Sequence, residues 1–292
     1  MDPFLPKLED AERRRRGRLL FRHNKIPVRM LLPNFFTLLS LCAGLTAIRM
    51  AIEQRYELAI TLVVIAALLD GVDGRLARAL KAQSKFGAEL DSLAVSVNFG
   101  VAPAVIVFIW GLGTLRGLGW ISVLVFALAM GLRLARFNAM LDVDRPKWQG
   151  NYFTGMPAPA GAINVLLPLY LDGLNLFDVR LWPVGIACYT LAMALLLVSS
   201  IPTFSGKLLG ERIAREYVLP VFVAAAALVA LLVTYPYETL TVLSVIYLGT
   251  IPLSYRRYQQ HLQQATLATP APEVELPGEA HPVGTPAGET KH

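Results

Sequence analysis

The sequence predicts an all-α protein that crosses a membrane several times. Of its 292 residues, 55% are hydrophobic and only 16% are charged, which is too apolar for a soluble domain of this size. Apolar stretches of roughly 20 residues, the length of helix that crosses the hydrocarbon layer, recur along the chain. Because backbone groups in lipid must bond within their own segment, helices are the expected spanning element.

Eight stretches have the length and apolar character of spanning helices. The fifth contains three prolines, which neighbouring helices can accommodate by satisfying the freed carbonyl groups. An even number of spans places both termini on the same side of the membrane. The predicted spans are 31–51, 57–80, 88–111, 118–139, 157–173, 181–200, 216–235 and 237–255.

The distribution of basic residues supports this topology. With both termini in the cytosol, all but four of the 27 Lys and Arg residues lie on the cytosolic side, and the exceptions are Arg49, Arg55, Arg116 and Arg180. This asymmetry follows the positive-inside bias and predicts a multi-pass membrane protein with both termini in the cytosol. It also explains much of the net charge of +6 without a nucleic-acid partner.

The spanning region is flanked by two polar segments, so the chain divides into residues 1–29, 30–257 and 258–292. The first segment is too charged to be a cleavable secretory signal and is predicted to be a basic cytosolic arm. Its run RRRRGR at 13–18 either anchors the topology or lies on anionic lipid headgroups. The last segment, rich in Pro, Ala, Gly and Glu from residue 264 onwards, is predicted to be disordered.

Three carboxylates lie at the ends of the second and third spans. Asp70 and Asp73 are three positions apart, which places them on one face of a helix. Asp91 follows after a short connection, near the start of the next span. Ionisable groups in spanning segments are expensive and usually mark function, so we expect the three side chains to converge near the cytosolic surface.

Three carboxylates at close range repel one another and need protons or a cation. Hard oxygen ligands suit Mg²⁺ or Mn²⁺, and such an ion commonly holds substrate phosphates as well. The alternative is ion pairing with Arg75 and Arg78. Gly71, Gly74 and Gly87 favour the metal because they leave the facing helix surfaces bare, which lets a ligand approach the backbone closely.

These residues resemble the signature of a known family. DGVDGRLAR at 70–78 followed by GAELD at 87–91 is similar to the pattern DxxDGxxAR and GxxxDxxxD of the CDP-alcohol phosphotransferases. The stretches NFGVAPA at 98–104, GLRLARFN at 131–138 and SSIPTFSGK at 199–207 are similar to the bacterial phosphatidylserine synthase branch of that family. The resemblance covers roughly residues 26–257.

The resemblance implies a homodimeric membrane enzyme with a six-helix catalytic core, here extended by two helices. It implies transfer of phosphatidyl from CDP-diacylglycerol to an alcohol, L-serine in this branch, with release of CMP at a site holding two Mg²⁺ or Mn²⁺ ions. Carried over by position, Asp70, Asp73 and Asp91 are metal ligands. Gly74 and Arg78 contact the CDP moiety. Gly87 admits the nucleotide.

The last position of the signature departs from the family pattern. The pattern requires a fourth aspartate one helical turn after Asp91, where this chain has Val95. In the family that aspartate binds the second metal and is taken as the base for the incoming hydroxyl group, and valine can do neither. Ser96 is turned by about 100° and Glu89 lies on nearly the opposite face, so neither replaces it. We therefore expect a weakened second metal site and impaired catalysis.

The fourth span carries candidate residues for the alcohol substrate at its inner end. Arg133 and Arg136 are three positions apart and form a plausible fork for a carboxylate or phosphate, and Asn138 adds polar groups. Serine has the carboxylate. The alternative is that these arginines are topology anchors.

Three other polar residues are candidates for binding CDP. Asn34 and Thr37 lie at the inner end of the first span, where the family places CDP, although they could instead bond helix to helix. Lys85 could reach a phosphate or remain solvated.

Other functions also suit parts of this pattern. The acceptor could be choline, inositol phosphate or glycerol phosphate, or the chain could be a catalytically silent lipid-binding or scaffold homologue. A transporter would show paired broken helices or internal repeats, and neither is present in the sequence. Release of CMP from CDP-diacylglycerol separates the enzyme from the other two classes.

Overall fold

The computed structural model describes residues 28–82, 84–140, 152–175, 178–204 and 215–268. Within these ranges the chain is helical apart from short connections and one pair of three-residue strands, which confirms the all-α prediction. Most of the predicted basic arm and most of the predicted tail lie outside the described residues.

The first two predicted spans form the helices α1 (Val28–Ile52) and α2 (Tyr56–Ala79), which pack along each other. Buried Ser40 in α1 ties them together, since its hydroxyl donates to the carbonyl of Ala66 at 2.9 Å. Ala66 lies one turn before Asp70, so this contact fixes α1 beside the carboxylate-bearing end of α2.

The third span is longer than the apolar pattern predicts and extends over Lys85–Leu115. It begins as α3 (Lys85–Val95), widens into a π-helical turn at Ser96–Val101, continues as α4 (Ala102–Val107), and widens again at Phe108–Leu112. A π turn shifts the helix face by a fraction of a turn, which a regular 3.6-residue pattern does not anticipate.

The first π turn is held against α1 by a buried polar contact. The side-chain amide of Asn98 donates to the Ser40 hydroxyl at 2.8 Å, and Asn98 is fully buried. Gly44 makes this approach possible, because a Cβ atom at that position would lie 2.1 Å from Asn98 Oδ1. The carboxylate-bearing ends of α2 and α3 are therefore fixed to α1 by packing and by hydrogen bonds.

The middle of the chain adds helices around this core. α5 (Gly117–Ala139) packs against α8 (Pro183–Val198). The predicted fifth span is two helices, α6 (Ala158–Val165) and α7 (Leu167–Gly173), because Pro168 at the start of α7 interrupts the helical hydrogen bonds. The strands β1 (Tyr152–Thr154) and β2 (Pro202–Phe204) pair antiparallel, with Phe153 opposite Thr203.

The chain ends in a helical hairpin of α9 (Arg215–Thr234) and α10 (Pro236–Ala268). α10 packs against α7 and β2, whereas the most apolar part of α9 has none of its residues buried and faces outward. α10 continues past residue 258, where the predicted tail begins. The residues of this continuation include Gln, Leu and Ala, which are good helix formers.

Four helical stretches of the described residues are long and apolar enough to cross a membrane: Leu31–Ile52, Lys85–Leu115, Gly117–Ala139 and Tyr217–Thr234. Pro183–Val198 is apolar but shorter. α2 is less apolar because it carries Glu57, Asp70 and Asp73, yet it packs along α1. The protein is therefore a multi-pass membrane protein.

Candidate active site

The structure brings the three carboxylates together where α2 ends and α3 begins. One carboxylate oxygen from each of Asp70, Asp73 and Asp91 lies within 4.8 Å of the other two. Asp73 is 3% exposed, while Asp70 and Asp91 are half-buried. The helical spacing of the first two residues and the short turn before Ser84 produce this convergence, as the sequence predicts.

The two oxygens of Asp73 have different surroundings. Oδ2 accepts a hydrogen bond from the Thr37 hydroxyl of α1 at 2.7 Å. Oδ1 is buried and has no hydrogen-bond partner among the described residues. A buried carboxylate oxygen without a donor is costly, so this atom requires a partner that the described residues do not supply.

These observations fit a divalent cation. The donor set is made only of carboxylate oxygens, which Mg²⁺ and Mn²⁺ prefer. In the described part of the chain, neither Arg75 nor Arg78 forms a salt bridge with any of the three aspartates. The predicted alternative of ion pairing is therefore not formed there.

A cavity of about 330 Å³ opens beside the cluster between α1, α2 and α3. Asp73 and Asp91 form one part of its wall, so a molecule in the cavity would touch the candidate metal site. Five of the residues predicted to bind substrate also line it. They are Asn34, Thr37, Gly74, Arg78 and Gly87.

The start of α3 is shaped to keep this cavity open and close to the backbone. Ser84 caps the helix, with its hydroxyl accepting from the N–H of Gly87 at 3.0 Å. A Cβ atom on Gly87 would lie 2.8 Å from Asn34 Oδ1, so a larger residue there would push Asn34 away. Ser84 and Pro33 also line the cavity and were missed by the sequence analysis, although a serine before a helix is a recognisable capping signal.

Val95 lies one turn beyond Asp91 and belongs to the apolar core of the bundle. It is 7% exposed and is part of the buried cluster that includes Phe99 of the π turn. The side chain contributes no polar atom to the site. Among the described residues, the acidic group that could hold a metal consists of Asp70, Asp73 and Asp91 alone.

The predicted alcohol-binding residues lie elsewhere, on α5, and are not among the residues lining the cavity. Arg136 donates to the carbonyls of Val198 and Ser199 at 2.9 and 3.0 Å, which ties α5 to the end of α8. Asn138 donates to the Ser92 hydroxyl at 3.0 Å and so links α5 to α3.

Arg133 differs from Arg136 in the hydrogen bonds of its guanidinium nitrogens. Its Nε donates to the carbonyl of Met156 at 2.5 Å, but its two terminal nitrogens have no hydrogen-bond partner among the described residues. The hydroxyl of Tyr247, on α10, is buried within electrostatic range of this guanidinium group. Tyr247 was not predicted, since no pattern in the sequence connects α10 to α5.

Lys85 is exposed at the first position of α3 and does not line the cavity. Its neighbour Ser84 lines the cavity, and contact of Lys85 with a phosphate stays a prediction.

The fold and the site together define an integral membrane protein with a carboxylate cluster suited to a divalent metal, next to a cavity for a polar ligand. The sequence profile of the family described as CDP-alcohol phosphatidyltransferase matches residues 30–204, and that of a second family description, CDP-alcohol phosphatidyltransferase 2, matches residues 216–252. The chain therefore belongs to the CDP-alcohol phosphatidyltransferase family, as its signature predicts.

Curated relatives from several bacteria and an archaeon are named CDP-diacylglycerol–serine O-phosphatidyltransferase. The chain is 43% identical to the protein of Mycobacterium leprae, over 77% of this chain and 74% of the relative. It is 40% identical to that of Mycobacterium tuberculosis, over 77% and 78%. It is 32% identical to that of Bacillus subtilis, over 61% and 89%. The predicted similarity to the phosphatidylserine synthase branch is confirmed.

Proposed function

We propose that this protein catalyses transfer of the phosphatidyl group from CDP-diacylglycerol to L-serine, giving phosphatidylserine and CMP. The observation that carries the proposal is the cluster of Asp70, Asp73 and Asp91 within 4.8 Å of one another. Asp73 and Asp91 lie in the wall of a cavity that Gly74, Arg78 and Gly87 of the family signature also line. The names of the relatives support serine as the acceptor.

In this proposal the three aspartates hold Mg²⁺ or Mn²⁺, and Asp91 stands next to the reacting groups. A metal bound there would neutralise charge that develops on the CMP leaving group. Gly74 and Gly87 would leave room for the nucleotide, and Arg78, which lines the cavity, would bind its phosphates. Asn34 lies at the same wall, beside Gly87, and is assigned to the nucleotide.

Val95 limits the reaction at one step. The serine hydroxyl oxygen attacks the phosphorus of the phosphatidyl group, the bond from phosphorus to the CMP oxygen breaks, and the hydroxyl proton must pass to an acceptor. An aspartate at position 95 would stand one turn from Asp91 and could take this proton. Because valine cannot, we expect this chain to bind CDP-diacylglycerol but to turn it over slowly. We also expect its binding of the second metal ion to be weakened.

The experiment that tests the proposed function compares acceptor alcohols. CMP release from CDP-diacylglycerol is measured with L-serine, choline, inositol phosphate or glycerol phosphate, with and without Mn²⁺. Release that depends on both serine and the metal is expected. Release with another alcohol but not with serine would mean that this alcohol is the acceptor. No release with any of the four alcohols, from the parent or from Val95→Asp, would support a silent lipid-binding homologue.

Serine recognition is assigned to Arg133, whose terminal nitrogens have no hydrogen-bond partner within the described ranges and can bind a carboxylate. Arg133→Ala should raise the apparent KM for serine more than that for CDP-diacylglycerol, because the partner of the serine carboxylate is lost. The measurement is steady-state CMP release with each substrate varied in turn, in the Val95→Asp background if the parent is too slow.

The neighbouring arginine provides the matched control. Arg136 already donates to two backbone carbonyls, so Arg136→Ala should lower thermal stability without a selective effect on serine. An equal rise of both KM values in Arg133→Ala would place that arginine on the shared phosphate or in the fold, and would contradict its assignment to serine.

The location proposed is the bacterial inner membrane, with both termini and the active site facing the cytosol, and the distribution of basic residues supports it. Single cysteines at 20, 145 and 209, placed in a chain without Cys42 and Cys188, should react with impermeant reagents only from the cytosolic side. Cysteines at 116 and 176 should react only from the opposite side. Reversal at any of these positions would contradict the topology.

A homodimer is also proposed, on the family resemblance.

A further inference from the structure

We infer that Thr37 is a positioning residue for the metal site. Thr37 holds Asp73 so that only one carboxylate oxygen of Asp73 can bind the ion. The inference rests on the proposed metal site and deepens it. It assigns Thr37 to a carboxylate rather than to the nucleotide, although Thr37 also lines the cavity.

The geometry of the Thr37 hydroxyl supports this role. Its oxygen lies 2.7 Å from Asp73 Oδ2 and 3.1 Å from the carbonyl oxygen of Pro33, one turn earlier in α1. A hydroxyl group has one proton to donate. The bond to the carboxylate is shorter and charge-assisted, and such bonds are roughly twice as strong as neutral ones, so Asp73 receives the proton.

Burial makes this hydrogen bond persistent. Thr37 is 4% exposed and Asp73 is 3% exposed, so water does not compete for the carboxylate. A free aspartate can turn its carboxyl group and present either oxygen or both. With Oδ2 held by α1, Oδ1 has no hydrogen-bond partner in the described part of the chain and remains as the oxygen that Asp73 can offer alongside Asp70 and Asp91.

The arrangement also couples two walls of the site. Thr37 belongs to α1, whereas the carboxylates belong to α2 and α3, so the bond fixes the first helix relative to the candidate metal ligands. Groups that orient a metal ligand without touching the metal typically account for 10–100-fold in metal affinity. The loss of the Thr37 hydroxyl should therefore be visible in metal binding itself, without any turnover.

The test measures the dissociation constant of Mn²⁺ by electron paramagnetic resonance on the full-length chain in detergent. Thr37→Val, which is close in shape but has no hydroxyl, should weaken Mn²⁺ binding by roughly 10–100-fold. Thr37→Ser keeps the donor and should stay within about 3-fold of the parent, which is below that range. Thr37→Ala provides a second hydroxyl-free variant if the valine does not fold.

Ser40 supplies the matched control, because it lies one turn further along α1, is equally buried, and donates to the carbonyl of Ala66 rather than to a carboxylate. Ser40→Ala should lower thermal stability but leave Mn²⁺ affinity unchanged. Unchanged affinity in Thr37→Val and Thr37→Ala, or the same loss in Ser40→Ala, would overturn the inference while the metal site stands. Absence of specific Mn²⁺ binding by the parent chain would overturn the metal site itself and this role with it.

Discussion

Replacing Val95 by aspartate should raise CMP release from CDP-diacylglycerol and serine by at least about 100-fold near neutral pH, the low end of what a positioned acid or base contributes. The change supplies both the missing proton acceptor and a further oxygen for the second metal. Affinity for CDP-diacylglycerol should change little, because the nucleotide cavity is formed by residues other than Val95. The measurement is CMP release at saturating Mn²⁺, with substrate binding followed separately.

Val95→Asn separates the proton acceptor from the metal ligand, because an amide oxygen can contact a metal but cannot act as a base. It should recover little activity. In the absence of metal, the aspartate variant should also be less stable than the parent, because it places a carboxylate at a position that is 7% exposed in an apolar cluster. Binding of Mn²⁺ should offset this loss of stability. If the parent already turns over at an ordinary enzymatic rate, roughly 1–10³ s⁻¹, and the aspartate adds nothing, then the base lies elsewhere.

Asp70→Asn and Asp91→Asn should each weaken Mn²⁺ binding by at least about 100-fold, since groups that only support a ligand already account for up to that factor. Each change replaces a charged oxygen ligand by a neutral amide in a cluster that has only three carboxylates among the described residues. In the Val95→Asp background, CMP release should fall to the level of the uncatalysed reaction. Metal affinity is followed by electron paramagnetic resonance and activity by CMP release.

Glu89→Gln is the control for these two variants. Glu89 lies two residues before Asp91 in α3 and is exposed. The substitution therefore removes the same charge near the site without removing a ligand. Its Mn²⁺ affinity should stay close to that of the parent. Equal effects of all three changes would mean that the ion is held by the overall negative field, and unchanged affinity in Asp70→Asn and Asp91→Asn would contradict the metal site.

The main features of the fold follow from apolar length. The regular spans α1, α2 and α5 end within a few residues of their predicted limits, because lipid thickness fixes the length of an apolar helix. The third span was predicted too short, since its π turns and its polar first turn at Lys85 do not follow a regular apolar pattern. The pairing of β1 with β2 joins short segments far apart in sequence, which local pattern cannot reveal.

The candidate site was predictable where spacing along one or two helices determines it. Asp70, Asp73 and Asp91 converge because a three-residue spacing and a short turn leave little freedom. The roles of Thr37 and Arg136 depend on partners from distant helices, a carboxylate of α2 and carbonyls at the end of α8. Periodicity gives no information about such partners, so the sequence identified these residues as polar and well placed but not what they contact.

We propose that this site makes phosphatidylserine, and the most direct measurement follows both products in one reaction. Val95→Asp and the parent chain are incubated with CDP-diacylglycerol, isotope-labelled L-serine and Mn²⁺, and CMP and labelled phosphatidylserine are quantified by mass spectrometry. We expect equal amounts of the two products from the aspartate variant and a small fraction of that yield from the parent. CMP without labelled phosphatidylserine, or neither product from a variant that binds Mn²⁺ and CDP-diacylglycerol, would contradict the proposed function.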